Sequence, residues 1–299
     1  MNRCLLTFIL AAGLWSVAYA KNPTTTRSAT TNAFEIGYID DAAIPESSAI
    51  VASRKYPGVY WTLNDSGNPP MLFAIDRSGK TINAFAVRRP NRDWEDLAID
   101  DAGHLYIGDI GNNLGRHNQL AVYKLDEPDP HTPLAKGDSL VVTDSWRLTF
   151  PKKPFDCESL FVWGDNAYVV SKLLDGENAG LYRFSITTPA QPARLEKVCD
   201  VPIRFPCTAA DISPDGKRLV IQSVVGPYLF DLPKAGDVSA LDKLEPAHVF
   251  FTDIHMEAAC FVDEGILATS ESRDVYLFRW QDFKDKDPAP TTRVYRSTN

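Results

Sequence analysis

One pattern recurs five times along this chain of 299 residues. Each copy opens with a short apolar-alternating run that carries a polar residue near its start: SAI from Ser48, EDLAI from Glu95, ESLFV from Glu158, TAADI from Thr208 and EAACF from Glu257. A turn follows, at Pro57-Gly58, Ala102-Gly103, Gly164-Asp165, Asp215-Gly216 and Glu264-Gly265. Then come a β-rich run (VYWTLND, HLYIGD, AYVVSK, RLVIQS, GILATSE) and an aromatic one (MLFAID, LAVYKL, GLYRFS, PYLFDL, VYLFRW). Less regular runs, TINAFAV, SWRLTF, LEKVCDV and AHVFFTD, supply fourth strands. The opening polar residues are spaced by 47, 63, 50 and 49 residues. Four short strands at a period of about 50 predict an all-β fold, a five-bladed β-propeller. A β-sandwich or two small β domains would leave the period unexplained.

Only four fourth strands fall between the five copies. The run FEIGYID, at 34–40, precedes Ser48 as the other fourth strands precede their copies. It is expected to be the outer strand of the last blade, closing the ring and covering its edges. The C-terminal run TTRVYR competes for that place.

Residues 1–20 read as a secretory signal: Arg3, an apolar stretch over Leu5–Trp15, and Ala18-Tyr19-Ala20 as cleavage site. Residues 21–32 are Thr-rich and expected to be a flexible leader, leaving 33–299 for the propeller. The signal places the protein in the periplasm or outside the cell. A net charge of −8 argues against a nucleic-acid partner, and no later apolar run is long enough to span a bilayer. A monomer is expected. Beyond the signal stand Cys157, Cys199, Cys207 and Cys260, either as one or two disulfides or as buried thiols.

Propeller topology puts the start of each first strand and the end of each second strand at one mouth of the channel. The loops NDSGNPP, GDIGNNLGRHN, SKLLDGENAG, QSVVGP and SESRD open there, while plain turns such as DDAG and PDGK take the other face. Ser48, Glu95, Glu158, Thr208 and Glu257 then form a ring of oxygen donors at one depth. Two carboxylates about 4 Å apart repel by on the order of 4 kcal/mol at an effective dielectric near 20, so such a ring calls for a cation or for protonation. All-oxygen donors suit Ca²⁺, which takes roughly 6–8 oxygens with tolerant geometry; zinc prefers His and Cys. The competing reading is that these glutamates cap turns or meet buried cations.

Two residues before the ring comes a second column, Glu46, Asp93, Asp156, Pro206 and His255, nearer the mouth. Asp65 and Asp109 end the second strands of the first two blades, in matched positions. With Asp93 they are the candidate general bases. Asn64, Asn112, Arg116, Lys172 and His255 are the candidate ligand contacts, although Asn is common in turns and the cations have acids to pair with. The sequence has no nucleophile elbow, P-loop, HExxH or EF-hand loop. Asn64-Asp65-Ser66 fits the glycosylation sequon.

The runs ESSAI, PGVYWTLNDSGNPPMLFAID, DWEDLAID and GHLYIGDIGNN resemble bacterial exported propeller proteins of unassigned function, most closely over 44–125. More distantly, the chain resembles calcium-activated nucleotidases of the apyrase type, which are five-bladed propellers. Their central calcium is held by one residue per blade in the order Ser, Glu, Glu, Ser, Glu. The matching positions here are Ser48, Glu95, Glu158, Thr208 and Glu257, the threonine keeping the hydroxyl. Asn64-Asp65 stands where that family has paired aspartates. The family's Lys-Glu-Trp is replaced by Asn112-Asn113-Leu114, and its third-blade basic cluster by SKLLDGEN, where Lys172 alone is basic. The resemblance therefore implies fold and metal more than a nucleotide.

Two functions follow as expectations. One is a Ca²⁺-dependent hydrolase of phosphoanhydrides or phosphoesters, with a glycosidase as a variant. The other is a non-enzymatic propeller with structural calcium that binds a glycan, peptide or envelope partner. Either ligand, an anionic small molecule or a glycan, is expected at the channel mouth.

Overall fold

A computed structural model describes residues 34–189, 192–253 and 255–284. The signal, the leader and TTRVYR lie outside the described residues.

The chain enters with β1 (Glu35–Tyr38). The first blade is β2 (Ser47–Ala52), β3 (Val59–Asn64), β4 (Met71–Asp76) and β5 (Thr81–Ala86). The second is β6 (Trp94–Ile99), β7 (His104–Asp109), β8 (Gln119–Asp126) and β9 (Asp144–Thr149). In the third, β10 (Cys157–Trp163), β11 (Asn166–Ser171) and β12 (Gly180–Ser185) are followed by β13 (Pro192–Arg194) and β14 (Glu196–Asp200). The fourth is β15 (Cys207–Ile212), β16 (Arg218–Ser223), β17 (Gly226–Asp231) and β18 (Ala247–His248). The last is β19 (Met256–Val262), β20 (Gly265–Ser270) and β21 (Asp274–Arg279).

The strands form five sheets, and the first strands neighbour one another in a closed circuit, β2–β6–β10–β15–β19–β2. The protein is a five-bladed β-propeller. Its last blade is completed by β1, which pairs antiparallel with β21, so the N-terminal strand closes the ring. A 3₁₀ turn at Leu241–Lys243 is the helical segment among the described residues, none of which forms a helix long and apolar enough to cross a membrane.

Two strands differ from expectation. β13 leaves its own blade and pairs in parallel with β9, giving the second blade a fifth, outer strand. The fourth strand of blade four shrinks from AHVFFTD to Ala247–His248, because Val249 and Phe251 bury themselves against the next blade.

The alternation of each strand feeds five apolar clusters, one between each pair of adjacent blades. Trp61 and Trp94 are buried in the cluster between blades one and two, and Trp163 packs on that between blades three and four. At the closing seam the Ser47 hydroxyl meets those of Thr62, at 2.9 Å, and of Thr269, at 2.8 Å. All four described cysteines are free. Burial pushes the thiol of Cys207 up to about 12 and those of Cys157 and Cys260 well above their usual value, which keeps them inert.

Candidate functional site

In every blade the ladder between first and second strands skips one residue. Ser47 pairs with Asn64 and Ala49 with Leu63; Trp94 with Asp109 and Asp96 with Gly108; Cys157 with Ser171 and Ser159 with Val170. Cys207 pairs with Ser223 and Ala209 with Gln222; Met256 with Ser270 and Ala258 with Thr269. The residues left out are Ser48, Glu95, Glu158, Thr208 and Glu257. Each predicted ring position is thus a β-bulge, a device that breaks the ladder and re-aims one side chain. Four of the five are nearly fully buried, and Glu257 is half-buried.

The two hydroxyls of the ring tie blades together. Ser48 Oγ donates to the Trp94 carbonyl at 3.4 Å, and Thr208 Oγ1 to the Met256 carbonyl at 2.8 Å. Each acceptor is the residue before the next blade's glutamate. Donation uses the hydroxyl hydrogen and leaves the oxygen lone pairs to accept or coordinate.

The glutamates are poorly neutralised. Glu158 is ion-paired with Lys172. Glu95 Oε1 is buried without a hydrogen-bond partner. One carboxylate oxygen from each of Asp65, Asp93 and Glu95 lies within 4.8 Å of the others. Gly111 makes this convergence fit: a Cβ there would lie 2.1 Å from Glu95 Oε1 and 2.5 Å from Asp93 Oδ2.

Acidity follows from the crowding. Burial, then the charges of Glu158, Asp65 and Asp93, pushes Glu95 well above the carboxylate range. Burial and Glu158 do the same to Glu257 against the pull of Lys172. Glu158 rises to about 8 through burial, even with Lys172 beside it. Asp65 rises to about 6 through burial, opposed by the Ser66 N–H and reinforced by Asp93 and Glu271. For Lys172, desolvation works against the charge, but Glu257, Glu158 and Glu95 outweigh it and hold the ammonium above its usual value. Lys172 is paired with Glu158, and the trio of Asp65, Asp93 and Glu95 gathers more carboxyl groups than cations to pair them.

The second column is real in the backbone. The carbonyls of Glu46, Asp156, Pro206 and His255 accept N–H groups from Asp65, Lys172, Val224 and Glu271, each the residue just past its blade's second strand; Asp93 accepts from Gly111. This register separates Asp65 from Asp109. Asp109 pairs with Trp94 as Asn64 pairs with Ser47, so it is the counterpart of Asn64, and the counterparts of Asp65 are Lys172 and Glu271. One residue of slip turns a side chain to the other face. Asp109 accordingly accepts from the Asp93 N–H at 2.9 Å and the Tyr123 hydroxyl at 2.9 Å, with Arg92 Nε at 3.6 Å.

The two buried asparagines shape loops. Asn64 donates to the Ala43 carbonyl at 2.9 Å and accepts from the Glu46 N–H at 3.4 Å, which leaves its amide no room for a glycan. Asn112 exchanges hydrogen bonds with the backbone of His117, at 3.0 and 2.9 Å, while its own N–H reaches Asp156 at 2.7 Å. His255 Nδ1 is 3.3 Å from Glu271 Oε2. Arg116 is exposed.

Sequence reasoning passed over Glu271, Gly111 and a buried pair deeper along the first strands. Asp96 accepts N–H groups from Leu97 at 2.8 Å, Leu160 at 2.7 Å and Ala210 at 3.2 Å, joining three blades. Asp211 accepts from the Phe261 N–H at 2.9 Å and feels the charge of Arg54. Innermost strands have an unpaired edge, and these carboxylates cap its donors. Glu271 was legible as the fifth-blade counterpart of Asp65.

No protein-family model matches the chain, and no curated protein matches it. Among solved structures, a chain of a nidogen/laminin complex aligns with TM-score 0.45 at 10% identity, over 81% of this chain and 78% of that one. The hydrazine synthase of Kuenenia stuttgartiensis aligns with TM-score 0.38 at 16% identity, over 78% of this chain and 60% of that one.

Proposed function

We propose that this chain is an exported hydrolase that holds Ca²⁺ at its channel mouth and cleaves phosphoanhydrides or phosphoesters there. The observation that carries the cation is the orphaned, buried Glu95 Oε1 at the meeting point of Asp65 and Asp93, above a ring otherwise built of hydroxyls and glutamates. The donors are all oxygen, as a hard cation requires. Asp65, Asp93 and Glu95 would hold the ion. When bound, such an ion supplies a Lewis acid that polarises a phosphoryl oxygen. The chain's own residues do the rest. Asp65 would offer the ion one carboxylate oxygen and keep the other to take a proton from attacking water. Water oxygen forms a bond to phosphorus, the bond to the leaving oxygen breaks, and the water proton passes to Asp65. Asp109, held by Tyr123 and Arg92, orients the Asp93 backbone instead of acting as base.

The experiment is a hydrolysis screen on nucleotides, phosphoesters and polysaccharides with Ca²⁺ present, followed by Asp65→Asn on whichever compound is cleaved. The expected loss of turnover is about 10²–10⁴-fold. Full activity in the variant refutes Asp65 as base. A second reading, a binding propeller with structural calcium, is favoured by the exposed Leu114, Leu174, Phe205 and Phe250 in the mouth loops. It takes over if the screen finds no turnover.

A further inference from the structure

Beside the acidic mouth, on the outer side of blade two, lies an open pocket of about 370 Å³ lined by Arg92, Arg116, His117, Asn118 and Gln119. Its lining carries no carboxylate, in a protein with 39 acidic side chains against 31 lysines and arginines.

The pocket is built rather than incidental. Asn112, buried, draws the loop into a closed turn by bonding both backbone groups of His117, and the Gly115 N–H returns to the Asn112 carbonyl at 2.8 Å. Gly115 itself sits at φ 60, a left-handed conformation that suits glycine, and it turns the chain immediately before Arg116. Arg92 is fixed by its bonds to the carbonyls of Gln119 at 3.1 Å and Asp109 at 3.0 Å. Two carbonyls use one donor on each terminal nitrogen, and Nε faces Asp109 Oδ1 at 3.6 Å, so two of the five guanidinium donors remain. Arg116 makes no hydrogen bond or ion pair with the described residues. The pocket adjoins the cation site through one peptide bond: Arg92 lines the pocket, and Asp93 is a member of the carboxylate trio.

We infer that this pocket is an oxyanion subsite, with Arg116 and Arg92 receiving a phosphate group of the ligand whose other part lies at the mouth. Paired guanidinium donors match the oxygens of phosphate in geometry as well as in charge. The ring of His117 and the amides of Asn118 and Gln119 add further donors for a tetrahedral anion. The inference deepens the hydrolase reading by giving its ligand a second anchored anion. The pocket's own affinity for phosphate stands apart from that reading. Asp65, Asp93 and Glu95 next door repel an anion, so a divalent cation among them strengthens phosphate binding, and phosphate strengthens cation binding equally.

The test is calorimetric titration of the full chain with inorganic phosphate, with and without saturating Ca²⁺, and with acetate as the carboxylate comparison. Wild-type protein is expected to bind phosphate in both states, more tightly with Ca²⁺, and in preference to acetate. Arg116→Ala is expected to weaken phosphate about tenfold in both states, the scale of losing charge-assisted hydrogen bonds, and Arg116→Lys to recover part of it. Arg116 is exposed, and an unchanged melting curve shows that the variant folds. Equal phosphate affinity in wild type and Arg116→Ala, or no phosphate binding by the wild type, overturns the subsite. Phosphate binding that Ca²⁺ leaves unchanged overturns the coupling to the trio while leaving the pocket in place. Absence of Ca²⁺ binding itself refutes the cation reading, and the metal-free titration then still decides the pocket.

Discussion

Replacing Gly111 by alanine tests the cation site with the least disturbance to the fold. The new Cβ would stand 2.1 Å from Glu95 Oε1 and 2.5 Å from both Asp93 Cγ and Oδ2. Unstrained contacts need more than 3 Å, so both carboxylates must move by about 1 Å or turn away. The atoms that give way are ends of side chains, and Gly111 has no left-handed φ for alanine to strain. The ladder and the blade packing therefore survive, while two of the three converging oxygens are displaced. A folded-state ion at a hundredfold excess over its Kd adds about 2.7 kcal/mol of stability. For a propeller of this size each kcal/mol shifts Tm by about 2–4 °C, so the wild type gains about 5–11 °C on adding Ca²⁺. Displacing the carboxylates should raise Kd by a hundredfold or more and cut that gain to about 1 °C. Differential scanning calorimetry with chelator and then with Ca²⁺ measures both. A full Ca²⁺ response in Gly111→Ala would refute the assignment of the trio.

The ion-free protein should lose stability as pH rises. Folding raises Asp65 to about 6 and Glu158 to about 8, so their protonated forms favour the native state, fully below their ordinary values of 3.8 and 4.5 and not at all above the raised ones. Tm with chelator should fall between about pH 4 and 8, and Ca²⁺ should remove the fall; a Tm flat across that range with chelator would contradict the crowding described. Asp109→Asn should lower stability by about 1–3 kcal/mol, since it weakens a buried carboxylate that serves Tyr123, Arg92 and the Asp93 N–H. Denaturant melting checks it, and an unchanged midpoint would deny Asp109 a structural role.

The fold was legible because a propeller repeats its own evidence. Five copies of one alternating pattern outweigh any single misread strand, and even the closing strand at Glu35–Tyr38 follows from counting fourth strands. The bulge at each ring residue was not legible, because an unpaired residue leaves no mark in hydrophobic alternation. That missing residue also hid the true register of Asp109, which pairs with Trp94 and so faces Tyr123 rather than the channel. The parallel strand at Pro192–Arg194 escaped notice because its partner belongs to another blade, and three residues carry no period. Asn112 looked like a ligand contact or a turn residue, and its burial and reciprocal bonds to His117 place it in the loop's framework. Lys172 answers part of the ring's charge, a pairing that sequence allowed but could not aim at Glu158.

The central claim is that Asp65, Asp93 and Glu95 share one hard cation. Calorimetric titration of chelator-stripped protein with Ca²⁺ at neutral pH tests it most directly, with Glu95→Gln alongside. One ion per chain is expected in the wild type, with proton release on binding because burial and the nearby carboxylates push Glu95 above the usual carboxylate range, and at least a tenfold weaker site in the variant. Binding of equal strength and stoichiometry in Glu95→Gln, or no binding by the wild type, would contradict it.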